Sequence, residues 1–141
     1  MKHPIYNTKD KLAAEIAFAE KIATRADMEL SILPGSSPLD YALVDPKTKE
    51  VQLWLEVSCR TDAQIKEIGM SLSRWMAGVD MTRKTGIPFL VGFRWKDTDF
   101  ILQVREGFIP LLQIGGESDR IGDADKEPVV KIPFRHFHSL K

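Results

Sequence analysis

The sequence has one cysteine, Cys59, which excludes an internal disulfide and suits a reducing compartment. It lacks any apolar run long enough to span a bilayer, and Met1–Asp10 does not read as a signal peptide, so a cytoplasmic protein with no membrane attachment is expected. It also lacks a charge excess. Twenty Lys/Arg cancel twenty Asp/Glu, so any nucleic-acid partner must be held by local charge. Internal repeats and low-complexity tracts are missing, which leaves out repeat architectures.

What is present is ordinary for a globular chain. The 141 residues, 43% hydrophobic and 28% charged, suffice for one domain with a real core. A single domain over residues 1–141 is expected, with a polar loop at 115–128 and a C-terminal strand segment.

Helical spacing marks two segments. From Thr8 to Ala26, capped by Thr8, the residues Leu12, Ile16, Ala19, Ile22 and Ala23 fall on one stripe. Glu15 and Glu20 sit at its margins, placed either to lean over a packed neighbour or to stay solvated. A second helix runs from Ser71 to Thr85 and stops at Gly86, with Pro88 beyond. Leu72, Trp75, Met76 and Val79 form its expected stripe; Arg74, Ala77, Gly78 and Met81 form a smaller second surface.

Met28–Leu33, Leu39–Val44 and Glu50–Cys59 read as strands, the last two joined across Asp45–Lys49 as a hairpin. Thr61–Gly69 reads as a polar link, with at most one helical turn, closed by Gly69. Pro88–Trp95 and Phe100–Val104 make another hairpin, and Val129–Phe134 a terminal strand. The order α-β-β-β-α-β-β-β predicts an α/β or α+β fold, a sheet flanked by helices. Gly92, inside a strand, permits close backbone approach or makes room for a neighbouring Trp.

The stretch LWLEVSCRT, Leu53–Thr61, carries the chemistry. Strand alternation puts Val51, Leu53, Leu55, Val57 and Cys59 on one face and Gln52, Trp54, Glu56, Ser58 and Arg60 on the other. Trp54 is expected to pack under the first helix. Glu56 is a charge in an apolar strand, costly to desolvate alone. Asp40 opens the preceding strand, and an antiparallel hairpin brings it to Glu56. Two readings stand: the pair shares a hard cation such as Mg²⁺, or Asp40 caps its strand after Pro38 while Glu56 pairs with Arg60 or Arg74. His136 and His138 fit either ligands or exposed tail residues.

A helix bearing Glu, an Asp at a strand start, a Glu on the next strand and a following helix form an arrangement that resembles the PD-(D/E)xK nuclease superfamily, whose pattern on that strand is Glu-x-Lys. LEVSCRT, SLSRWMAG, KTGIPFLVGFRW and the tail GGESDRIGDADKEPVVKIPF resemble, in that order, small resolvase-like nucleases of phages and prophages. The resemblance implies a restriction-endonuclease-like mixed sheet flanked by helices, metal-dependent phosphodiester hydrolysis and DNA as partner, with branched or junction DNA as substrate. It implies Mg²⁺ or Mn²⁺ held by Asp40, Glu56 and the Val57 carbonyl, with Glu15 or Glu20 assisting. It implies phosphate contacts from Arg74, and it admits a homodimer, because two strands must be cut.

Between Val57 and Lys96 seven Lys/Arg face three Asp/Glu, a local surface suited to a phosphate backbone. The seven are Arg60, Lys66, Arg74, Arg83, Lys84, Arg94 and Lys96.

One position departs from the pattern. Ser58 stands where the superfamily has its lysine, and a hydroxyl cannot supply the positive charge that stabilises the phosphoryl transition state. Arg60, Lys66 or Arg74 could compensate electrostatically, although an arginine stays protonated and is no base. The alternative is a nuclease-fold protein, its Lys-to-Ser change natural or engineered, that binds DNA or a protein without cleaving.

Overall fold

The structure, a computed structural model, describes residues 8–60, 67–96, 98–104, 113–115 and 129–140. In chain order it runs α1 (Thr8–Arg25), β1 (Glu29–Ile32), β2 (Tyr41–Val44), β3 (Val51–Arg60), β4 (Glu67–Ser71) and α2 (Leu72–Thr85). Then come β5 (Phe89–Trp95), β6 (Thr98–Val104), β7 (Gln113–Gly115), β8 (Val129–Pro133), a 3-10 turn (Phe134–His136) and β9 (His138–Ser139).

Six strands form one mixed sheet in the order β1-β2-β3-β5-β6-β9. β3 and β5 are parallel and every other pair is antiparallel. A parallel pair needs a crossover connection, and the segment carrying β4 and α2 supplies it. The other sheet has three strands, β4-β8-β7. Together with the two helices this is the α/β, restriction-endonuclease-like architecture that the resemblance implies.

The parity of β3 divides the core. Leu55 and Val57 turn to α1, which buries Phe18, Ala19, Ile22 and Ala23 against them and against Tyr41, Leu43 and Leu90. Trp54 turns the other way, to a core shared with Trp75 of α2, Phe89, Val91 and Phe93, which Val130 and Ile132 of β8 complete. Trp54 therefore packs under the second helix, not the first, and its indole N–H donates to Thr85 Oγ1 at 3.1 Å.

Each expected helical stripe loses one member: Leu12 and Met76 are exposed, whereas Trp75 is buried with Leu72 and Val79 packed against the same core, and α2 adds Gly78 and Thr82 to its buried face. Gly78 has to be small, because a Cβ there would lie 2.2 Å from the Phe89 ring. Gly92 makes room for α1 rather than for a tryptophan: its missing Cβ would meet Ile22 Cδ1 at 2.7 Å.

The polar link is the main departure. Residues 61–66 lie outside the described ones, but Glu67–Ser71 is strand β4 and Gly69 falls inside it, opposite Lys131 of β8. A short run with little alternation becomes a strand only because β8, from the far end of the sequence, pairs with it. The expected terminal strand thus belongs to the second sheet. β7 and β9, three and two residues long, carry no sequence signal of their own.

On the α1 face Asp99 is buried, its carboxylate accepting two hydrogen bonds from Arg94 at 2.6 and 3.2 Å and another from Lys21. Burial alone would push its proton affinity up, yet these hydrogen bonds outweigh it and hold Asp99 below the usual carboxylate range. The network fastens α1 to the β5–β6 hairpin.

Candidate active site

The β2–β3 register pairs Tyr41 with Leu55, so one step further Asp40 stands opposite Glu56. Asp40 is fixed from its other side, where its carbonyl accepts the Leu33 N–H at 2.9 Å. The two carboxylates converge on one guanidinium: Arg74 Nη1 lies 3.0 Å from Asp40 Oδ1 and 3.4 Å from Glu56 Oε1.

Arg74 arrives there through the start of α2. β4 ends at Ser71, which is also the helix N-cap, and its Oγ accepts the Arg74 N–H at 3.2 Å. A cation in the first turn of a helix opposes the macrodipole, and α2 has no acidic residue there to offset it. Such a local conflict marks a residue kept for something other than helix stability.

The field at this spot is acidic. Glu56 keeps only 15% of its side chain exposed. Burial raises its proton affinity most, Arg74 opposes, Asp40 and Glu15 add to the rise, and the result is a pKa of about 7 against an ordinary 4.5. Desolvation works against the Arg74 charge, but Asp40, Glu56 and Glu15 more than restore it, and its pKa lies above the usual arginine value. Buried Tyr41 is pushed up to about 12, first by burial and then by Glu15, Asp40, Glu56 and Cys59. The sequence reading overlooked Tyr41, whose only signal was adjacency to Asp40.

Glu15 thus belongs to this field. It lies on α1 one turn before buried Phe18, whereas Glu20 is exposed and is not among the groups that shift Glu56, Tyr41 or Arg74. Ser58 is half-buried, on the Glu56 side of β3 and opposite Phe93 of β5. Val57 sends its side chain into the α1 core. Trp54 donates its backbone N–H to Pro88, on the β5 side. Alternation therefore turns the Val57 carbonyl the opposite way, to the β2 side of the strand.

Lys66 lies outside the described residues, and so does the side chain of Arg60. The other expected cations are engaged elsewhere. Arg83 and Lys84 pair with Asp80, Arg94 with Asp99, and Lys96 stands over the Trp95 ring. His138 is exposed on β9.

Two opposed carboxylates and a nearby main-chain carbonyl are hard oxygen donors, and a positively charged group already bridges the pair. That donor set fits a small divalent ion, which takes one or two carboxylates and completes its shell with water and phosphate oxygens. Among the described residues no group of three or more His, Cys, Asp or Glu side chains stands close enough to form a full protein cage.

The family described as "phage putative PDDEXK endonuclease" matches residues 1–140. The chain belongs to that family. Nucleases of the PD-(D/E)xK kind typically use divalent metal ions, and the family places this chain in a phage setting with DNA as the expected substrate. No curated protein matches the sequence. No helix among the described residues is long and apolar enough to cross a membrane.

Proposed function

We propose that this PDDEXK-family chain hydrolyses DNA phosphodiesters with a divalent ion, Mg²⁺ or Mn²⁺, held by Asp40, Glu56 and the Val57 carbonyl. The observation that carries the reading is the convergence of Asp40 and Glu56 on one cationic group, with Glu56 desolvated enough to titrate near neutrality. When bound, the ion would polarise the scissile phosphate and lower the pKa of an attacking water.

The chain's own residues have distinct tasks. Asp40 and Glu56 hold negative charge at one point, fixed by a hairpin register that a single-residue slip would destroy. Glu15 adds to that field from α1 and orients water. Arg74, 40% exposed, sits where a phosphate oxygen would approach and supplies the charge that Ser58 does not. Branched or junction DNA is the substrate the resemblance favours. A homodimer would bring two such sites to two strands, and the setting would be the host cytoplasm.

A second reading rests on Ser58. With no lysine beside Glu56, the fold would bind DNA or a protein without cutting.

Cleavage of branched and linear DNA in Mg²⁺ and Mn²⁺ decides between them, comparing the chain with Asp40→Asn and Ser58→Lys. Activity that Asp40→Asn abolishes supports hydrolysis. Activity only in Ser58→Lys identifies a non-cutting binder on an intact scaffold. Inactivity throughout, with no ion bound by calorimetry, removes the metal-site reading.

A further inference from the structure

We propose that Arg74 is a built-in counter-ion that holds Asp40 and Glu56 together before the divalent ion arrives and is displaced from them when it binds. This rests on the metal-site reading above and adds a role for the arginine in the metal-free protein. The geometry carries it. One nitrogen, Nη1, lies within salt-bridge distance of both carboxylates, at 3.0 and 3.4 Å, so the guanidinium occupies the space between them. A divalent ion bonded to the same two oxygens would stand in that space, with its partners at about 2.0–2.6 Å. The guanidinium and the ion cannot both fit there.

The arginine can leave. Its side chain is 40% exposed, and its backbone is held by the Ser71 cap rather than by the carboxylates. Moving outward would carry the charge toward solvent, the direction from which a phosphodiester must come. In Arg74 the positions before and after ion binding would be two uses of one charge: neutralising the acids first, and a substrate oxygen afterwards.

Neutralisation is needed in the metal-free state. Two carboxylates directly opposed at a hairpin end, with Glu15 in the same field, repel one another and resist burial. An arginine pays less for desolvation than a compact ammonium does. Serine at position 58, on the same face of β3 as Glu56, brings no second cation to compete with Arg74 for the acids, as a lysine there would.

Two measurements test the proposal. Calorimetric titration with Mn²⁺ and with Mg²⁺ compares the chain with Arg74→Met, which keeps length but removes charge. Thermal unfolding follows both proteins in EDTA and in saturating ion. The expected result is ion binding roughly tenfold tighter in Arg74→Met, the factor obtained by removing an internal competitor that makes two partly exposed ion pairs. Its melting temperature should drop in EDTA and recover in Mn²⁺ by more than that of the unaltered chain. Equal affinities would overturn the exchange and leave the metal site standing; no binding by either protein would remove both.

The unaltered chain gives an independent readout should Arg74→Met fold poorly. The Arg74 side-chain Nε–H signal in ¹⁵N NMR should shift in step with Mg²⁺ saturation as the guanidinium leaves its carboxylates. A signal unchanged at full saturation overturns the proposal.

Discussion

Glu56 sets the strongest pH dependence attached to any single side chain in the site. Its folded pKa, about 7, is above the 4.5 of the unfolded chain. Below 4.5 both states carry the proton and this contribution to stability is whole. As pH rises toward 7 the unfolded chain gives up its proton first, so the contribution falls, and above 7 it stays lost. The shift corresponds to a cost on the order of 3 kcal/mol at pH 8. Glu56→Gln should therefore stabilise the metal-free protein at pH 8 and not at pH 4, as measured by urea unfolding in EDTA. Equal effects at both values would mean that the carboxyl is less desolvated than its burial indicates. Ion binding runs the opposite way: it needs the deprotonated carboxylate, so calorimetric affinity should weaken as pH falls below 7.

The residue scale is also where the sequence was most informative. Asp40 and Glu56 could be paired in advance because hairpin turning and strand alternation are local rules, and both operate within residues 40–56. Choosing Glu15 over Glu20 needed the angle at which α1 crosses the sheet, which no local rule supplies. Whether Glu56 met Arg60 or Arg74 was open for the same reason: one lies four residues further along the same strand, and the other arrives by way of β4 and a helix cap.

At the scale of elements, two glycines control how closely the helices approach. Exposed helices gain about 1 kcal/mol when Gly becomes Ala. At Gly78 that gain should be overwhelmed, because the added carbon would meet the rigid Phe89 ring at 2.2 Å. Gly78→Ala is expected to cost about 3 kcal/mol, whereas Gly92→Ala should cost about 1 kcal/mol, since its nearest obstacle is the flexible end of Ile22. Urea midpoints of the two variants check the ranking. Asp99→Ala removes a buried carboxylate from beneath Lys21 and Arg94, loosening α1 from the β5–β6 hairpin. A loss of about 3 kcal/mol is expected, and proteolysis should begin near α1.

The same scale shows why helices were easier to read than their faces. Gly86 at φ 76° and the Ser71 cap mark the ends of α2 in the sequence itself. Which stripe is buried depends on what lies beneath, and a helix covering both a six-stranded sheet and a second small sheet buries Trp75, Gly78 and Thr82 while leaving Met76 outside. β4 was invisible for a related reason. Its residues lack alternation, and their strand character comes from pairing with β8.

At the scale of the whole molecule, the balanced charge conceals an uneven arrangement. Among the cations of the central region whose side chains are described, Arg83, Lys84 and Arg94 are tied to their own acids, at Asp80 and Asp99, while Arg74 faces the acidic hairpin. Family and architecture were legible because ordered motifs extend along nearly the entire chain, and the family match spans residues 1–140. The second sheet was not legible, because its strands are scattered across the sequence. Ile132, wholly buried in β8, tests how far that sheet supports the site. Ile132→Ala should lose about 3 kcal/mol and also weaken Mn²⁺ binding, although it touches neither carboxylate.

The pairing of β4 with β8 has a kinetic consequence. The acidic hairpin is made of neighbours and can close early, but the strand that aims Arg74 waits for a partner from the opposite end of the sequence, a closure that is slow to search. During refolding the two carboxylates should face each other before their arginine is in place. Divalent ions added at that moment should speed the early phase and leave the late one unchanged.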